Sequence, residues 1–190
     1  MKNLRGTLFR IVITVFFVLN LFALNAGAYE SVIIKYPERT WVSIYYQKES
    51  DETIAQFIPP YESSNNWSQS LVFHSYKWAK GQSCSSFLNN LLANVSMQNN
   101  KMRIQPVKDN INDSIVMWCA PKNKYMSEQC EILRVTRGHE GLISMHYINR
   151  NMEDFALRKD QWLNVIRDVK VYYSYYRWDR VLSKASVYEL

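Results

Sequence analysis

The first 28 residues determine which part of this 190-residue chain has to fold, and in which compartment. Three basic residues precede an apolar stretch from Ile11 to Leu24, and Ala26-Gly27-Ala28 follows that stretch. A basic start, a short apolar core and small residues in an A-x-A pattern are typical of a secretory signal peptide. We therefore predict cleavage between Ala28 and Tyr29, and a protein that works outside the cytoplasm, in the periplasm or the secreted fraction.

The alternative to a cleaved signal is a membrane anchor that stays on the chain. The apolar stretch from Ile11 to Leu24 holds 14 residues, whereas a membrane-spanning helix needs roughly 20. Thr14 and Asn20 weaken it further as a span. We expect no stable membrane span after cleavage.

Residues 29–190 have the size of one ordinary domain and can bury a sizeable core. Three of the 23 basic residues lie before Tyr29 and all 17 acidic residues lie after it, so the net charge of the mature chain is +3. Nucleic-acid-binding proteins concentrate Lys and Arg on one face, whereas here basic and acidic residues alternate. We expect a single α+β domain and no nucleic-acid partner.

Three cysteines in an exported chain allow at most one internal disulfide and leave one thiol over. Cys119 ends an apolar run that begins at Ser114, and Cys130 opens the next apolar run after turn-forming residues. This spacing predicts a hairpin that a Cys119–Cys130 disulfide joins, which leaves Cys84 as the free thiol. Export to an oxidising compartment favours the disulfide over the two thiols.

The alternation of apolar and turn-forming residues predicts two antiparallel meanders and two helices. Strand-like runs rich in β-branched and aromatic residues lie at 31–36, 41–46, 53–58 and 70–78, and again at 102–107, 114–119, 131–137 and 142–149. Ser83 has the position of an N-cap, and apolar residues with helical spacing follow it to residue 97. A closing helix is predicted at 157–169. The fold class is α+β, with both helices packed on an antiparallel sheet.

Several stretches combine aromatic and turn-forming residues: Tyr36-Pro37-Glu38-Arg39-Thr40-Trp41, Phe57-Ile58-Pro59-Pro60-Tyr61-Glu62 with Asn66-Trp67-Ser68, and Gly141-Leu142 leading to Trp162-Leu163-Asn164-Val165-Ile166. They resemble small exported proteins of Gram-negative bacteria whose layout is similar to the PsbP-like sandwich. The resemblance implies a non-enzymatic binding or assembly module whose partner is another envelope or secreted protein. It brings no functional residues with it.

Cys84 lies at a predicted helix start, where the dipole lowers a thiol pKa, and His139 follows later in the chain. This arrangement is similar to the NlpC-type cysteine hydrolases that act on peptidoglycan. The family carries Asp immediately before the cysteine and Gly soon after it, where this chain has Ser83 and Ser86. A buried structural role for Cys84 is therefore favoured, and hydrolysis remains the alternative hypothesis.

The chain has three histidines, and none of them lies in a local metal-binding pattern such as H-x-x-x-H. They are His74, His139 and His146. We expect neither a metal nor a cofactor.

The C-terminal tail is rich in aromatic and basic residues, which are enriched in protein interfaces. It predicts a binding strip that consists of Tyr172, Tyr175, Tyr176, Arg177, Trp178 and Arg180. The alternative is that about half of these rings pack in the core beside the last helix.

Overall fold

A computed structural model describes residues 29–34, 40–174 and 186–189. The predicted signal peptide lies outside these ranges, so its cleavage stays a prediction. The strands are β1 (Tyr29–Ile34), β2 (Val42–Lys48), β3 (Glu52–Ile58), β4 (Gln69–Tyr76), β5 (Arg103–Lys108), β6 (Asp113–Ala120), β7 (Gln129–Arg137), β8 (Leu142–Asn149), β9 (Lys170–Ser174) and β10 (Ser186–Glu189). The helices are α1 (Cys84–Gln98) and α2 (Met152–Asp168), and a short 3₁₀ helix spans Lys77–Ala79.

The fold is α+β, as the sequence predicts. Seven antiparallel strands form the main sheet in the order β2-β3-β4-β8-β7-β6-β5. The first meander (β2 to β4) and the second (β5 to β8) join through the pairing of β4 with β8. The two meanders are thus one continuous sheet.

The first strand differs from the expected meander. β1 pairs with β9 and β10 in a separate three-stranded sheet. Val32 and Ile34 of β1 are fully buried in the same core as α2. The alternation of residues predicts a strand here, but the partner strands come from the far end of the chain, and local sequence carries no information about that pairing.

Both helices begin at a capping side chain. The hydroxyl of Ser83 accepts a hydrogen bond from the backbone N–H of Ser86 at 3.1 Å, which starts α1 where the sequence predicts. The side chain of Asn151 accepts from the N–H groups of Glu153 and Asp154, so α2 begins five residues before its predicted start at Leu157. The two acidic residues in that first turn also suit the positive end of the helix dipole.

The helices cover opposite faces of the main sheet, because alternate residues of a strand point to opposite sides. On β7, Ile132 packs in the core that includes α2, and Leu133 packs in the core that includes α1. Arg134 fixes the end of α2: its guanidinium donates to the carbonyl oxygens of Ile166, Arg167 and Val169 at 2.8 to 3.1 Å. The sheet is therefore buried on both faces at its centre.

Within the described ranges, neither helix combines the length and the apolar character that crossing a membrane requires.

Candidate functional site

The predicted disulfide is confirmed and lies at the end of the β6–β7 hairpin. Cys119 and Cys130 are directly opposite each other in the strand pairing, and their sulfur atoms are bonded. Such a bond is typical of proteins that mature outside the reducing cytoplasm. The disulfide also lies in the wall of the cavity described below.

This cavity, the basic cleft, lies between β5–β6 and the first half of α2, and its volume is about 790 Å³. Its sheet side carries Arg103 and Gln105 beside Met117, and its helix side carries Phe155 and Lys159. Ligand sites in proteins commonly have volumes of about 300–1,000 Å³ and mainly apolar walls. The lining consists of Lys101, Arg103, Ile104, Gln105, Met117, Trp118, Cys119, Pro121, Cys130, Met152, Phe155, Ala156 and Lys159.

The charges in the basic cleft have one sign. Lys101, Arg103 and Lys159 line it, and none of the lining residues is acidic. Among residues 29–34, 40–174 and 186–189, no carboxylate forms an ion pair with any of these three side chains. Positive charges in a concave site with low-dielectric walls reinforce one another's potential.

Buried amides hold both sides of the cleft in place. The side-chain oxygen of Asn99 accepts from the backbone N–H of Lys101 at 3.1 Å, and its amide nitrogen donates to Pro121 O at 2.7 Å. On the helix side, Asn149 Nδ2 donates to Asp154 Oδ2 at 2.8 Å. Asn99 is 2% exposed and Asn149 is fully buried, so these contacts are shielded from water.

A second polar cluster lies on the α1 face of the main sheet and has the connectivity of a hydrolase triad. Ser144 Oγ is 2.7 Å from Nε2 of His146, and Nδ1 of the same ring is 2.6 Å from Glu131 Oε1. Ser144 is nevertheless fully buried. β8 also pairs with both neighbouring strands along its whole length, which commits the nearby backbone N–H groups to the sheet rather than to an oxyanion. The cluster therefore lacks access for a substrate.

Close to this cluster, His74 and Glu52 contact the aromatic rings of Tyr76 and Trp78. The ring of His74 stacks on that of Tyr76 with centroids 3.9 Å apart, and Glu52 accepts from Trp78 Nε1 at 2.6 Å. Burial raises the pKa of Tyr76 to about 12. Burial also lowers the pKa of His74, although its contact with Glu52 opposes this change. The charged forms of both rings are thus disfavoured.

Cys84, the candidate nucleophile, is buried at the start of α1. Its exposure is 0%, and burial raises the pKa of its thiol despite its position at the helix N-terminus. His139 lies in the turn between β7 and β8, where its ring stacks on Tyr173 at 3.8 Å. In the described part of the chain, no histidine is hydrogen-bonded to the Cys84 sulfur.

Of the predicted C-terminal binding strip, only Tyr172 lies within the described residues. It is on β9, beside Tyr173, and its exposure is 43%. The other five members, Tyr175, Tyr176, Arg177, Trp178 and Arg180, lie outside the described residues, so the strip stays a prediction. As for metals, the described ranges contain no cluster of three or more His, Cys, Asp or Glu side chains that could hold an ion.

The basic cleft was not predicted from the sequence. Arg103 belongs to β5 and Lys159 to α2, and neither residue lies in a motif. The sequence holds one signal, since Phe155 and Lys159 are four residues apart and therefore lie on one face of a helix. The pairing of Arg103 with Cys119 across the strands is seen only in the structure. Only the packing of α2 against the sheet brings the two sides together.

No protein-family model matches this chain, and a search of curated proteins finds no match.

Proposed function

We propose that this protein is an exported, non-enzymatic binding protein of the bacterial envelope or secreted fraction, and that its ligand occupies the basic cleft. The observation that carries the proposal is the cleft itself, with its volume of about 790 Å³, its mainly apolar wall and its few polar groups. These are the common properties of a small-molecule site.

Two further observations support export and binding. The Cys119–Cys130 disulfide needs an oxidising compartment to persist. The two arrangements that include a nucleophile, around Cys84 and around Ser144, are both closed to substrates, because each nucleophile has an exposure of 0%. An NlpC-type hydrolase remains the alternative function, and it requires a Cys84 thiol that reacts in the folded protein.

The test blocks the cleft from the helix side. Ala156 lines the cleft and is exposed, so Ala156→Trp places a large ring in the cavity without a change in the core. Leu157 is 86% exposed and does not line the cleft, which makes Leu157→Trp the matched control. A neutral, environment-sensitive dye such as Nile red should bind the exported protein and the control, and lose most of its binding to Ala156→Trp.

A second measurement identifies what the cleft carries in the native source. Native mass spectrometry of the exported protein should detect a co-purified small molecule that is absent from Ala156→Trp. Equal dye binding by both tryptophan variants, together with no bound molecule, would refute the proposed binding site.

A further inference from the structure

We propose that the ligand of the basic cleft is an anionic amphiphile, a molecule with one phosphate or carboxylate head group and one apolar chain. This inference rests on the proposed binding function and adds the chemical class of the ligand.

The charge of the ligand follows from the three basic residues that line the cleft. Some basic side chains elsewhere in the fold have carboxylate partners: Lys77 pairs with Glu140 at 2.6 Å, and Arg158 pairs with Asp154 at 2.8 Å. Lys101, Arg103 and Lys159 have no such partner among the described residues. Clustered like charges repel, and a bound anion removes that repulsion.

The head-group chemistry follows from the kinds of cation that are present. The planar guanidinium of Arg103 can donate two parallel hydrogen bonds to a phosphate or a carboxylate. The ammonium groups of Lys101 and Lys159 act as point charges with rotatable donors. Because Arg103 and Lys159 come from the sheet and from the helix, one anion between them would contact both sides of the cleft.

The apolar chain follows from the remaining wall. Met117 and Phe155 line the cleft together with the disulfide, and Ile104 is 46% exposed at its sheet side. A free phosphate ion would leave this apolar surface in contact with water. A neutral lipid would cover the surface but leave three cations without a counter-charge. An anionic amphiphile would pair its head group with the three cations and cover the apolar surface with its chain.

The first experiment compares ligands that share one chain length. Binding of the exported protein to dodecyl phosphate, dodecanol, dodecyltrimethylammonium and inorganic phosphate is measured by displacement of Nile red, each below its micelle concentration. Dodecyl phosphate should bind at least about tenfold more tightly than any of the other three. Each methylene removed from the alkyl phosphate should weaken binding by up to about fourfold, the value expected for a fully buried group.

The second experiment changes the charges. Arg103→Gln and Lys159→Gln should each weaken binding of dodecyl phosphate by roughly two- to fivefold, as expected for ion pairs at the protein surface. Lys80→Gln, at an exposed position outside the cleft, is the control and should bind normally. Raising the salt from about 0.1 to 1 M shortens the Debye length from about 10 to 3 Å, so the difference between Arg103→Gln and the unchanged protein should shrink.

The outcomes separate this inference from the function on which it rests. Equal binding of dodecanol and dodecyl phosphate, both lost in Ala156→Trp, would overturn the anionic class and leave the binding site intact. Inorganic phosphate that binds as tightly as dodecyl phosphate would overturn the apolar chain. If the protein bound anionic vesicles but no monomeric amphiphile, and Ala156→Trp changed nothing, the inference and the proposed cleft would both fail.

Discussion

Ser144 Oγ and His146 Nε2 are 2.7 Å apart on the face of the sheet against which α1 packs. Glu131 completes the row at 2.6 Å from the other ring nitrogen, and Tyr76 OH lies 3.4 Å from the serine oxygen. Ser144, Glu131 and Tyr76 are buried, and their polar atoms find partners in one another and in the half-buried His146 ring. The row is therefore a structural network. Its triad-like connectivity arises because Ser144 and His146 on β8 and Glu131 on β7 lie on the same face of the sheet, within hydrogen-bonding distance of one another.

Ser144→Ala should lower the free energy of unfolding by about 1–3 kcal/mol, because it leaves the His146 ring nitrogen without a partner. Urea denaturation measures this change. Ser64→Ala, at an exposed serine in a loop, is the matched control and should have no effect. A Ser144→Ala protein of unchanged stability that had lost an esterase activity would contradict the structural role and point to catalysis.

Cys84 should resist alkylation in the folded protein. Its thiol is fully buried and burial raises its pKa, so the reactive thiolate is scarce and shielded at neutral pH. Mass spectrometry after iodoacetamide treatment should find no adduct without denaturant and one adduct after unfolding. Reduction of the Cys119–Cys130 bond in the unfolded chain should raise the number of adducts to three.

The same measurement separates the two functions under consideration. Rapid modification of Cys84 in the folded protein, accompanied by loss of a peptidoglycan-hydrolysing activity, would favour the NlpC-type alternative over binding.

His74, which stacks on Tyr76, should cause the free energy of unfolding to fall as the pH drops below about 6.5. Burial lowers the pKa of His74 below its ordinary value of 6.5, against the opposing contact with Glu52. Between the folded and unfolded pKa values the unfolded chain binds more protons, so stability rises with pH through that window and is lost on acidification. His146 faces the same region and also disfavours a charge on His74.

Urea denaturation at pH 7.5 and at about pH 5 tests this sign. The loss of unfolding free energy between the two pH values should be smaller in His74→Gln than in the unchanged protein. An equal loss in both proteins would show that other groups cause the acid sensitivity.

The parts of the fold that sequence predicts are those that local chemistry decides. α1 is predicted to within one residue of its observed bounds, because the Ser83 cap and the spacing of Phe87, Leu88 and Leu92 are local features. The disulfide is predicted because its two cysteines flank one turn. The sequence predicts the start of α2 five residues too late although Asn151 is a good cap, because only Met152 and Phe155 are apolar among the first four residues of the helix.

The features that the sequence does not predict depend on contacts between segments that are far apart in the chain. The pairing of β1 with β9 joins the two ends of the domain, and strand propensity does not specify a partner. The basic cleft depends on Arg103 and Lys159, which only the tertiary packing of α2 brings to one cavity. In the sequence alone, neither residue can be distinguished from a basic residue on the solvated surface.

The turn between β7 and β8 should not tolerate a side chain at Gly141. A Cβ atom there would lie 2.1 Å from the backbone oxygen of Tyr76 and 2.8 Å from the Cα of Lys77, and backbone atoms cannot move aside as a flexible side chain can. Gly141→Ala should therefore lower the free energy of unfolding by roughly 1–3 kcal/mol or more. Gly81 offers the matched control, since a Cβ atom at that position meets nothing within 4 Å.

Gly81→Ala should leave stability unchanged or raise it by up to about 1 kcal/mol, because alanine reduces the conformational entropy of the unfolded chain. Urea denaturation of both variants under one condition measures the contrast. Since the Gly141 turn packs against the end of β4, a tolerated alanine would mean that this turn and the Tyr76 backbone are further apart in solution. The close approach of Gly141 to the end of β4 would then be absent.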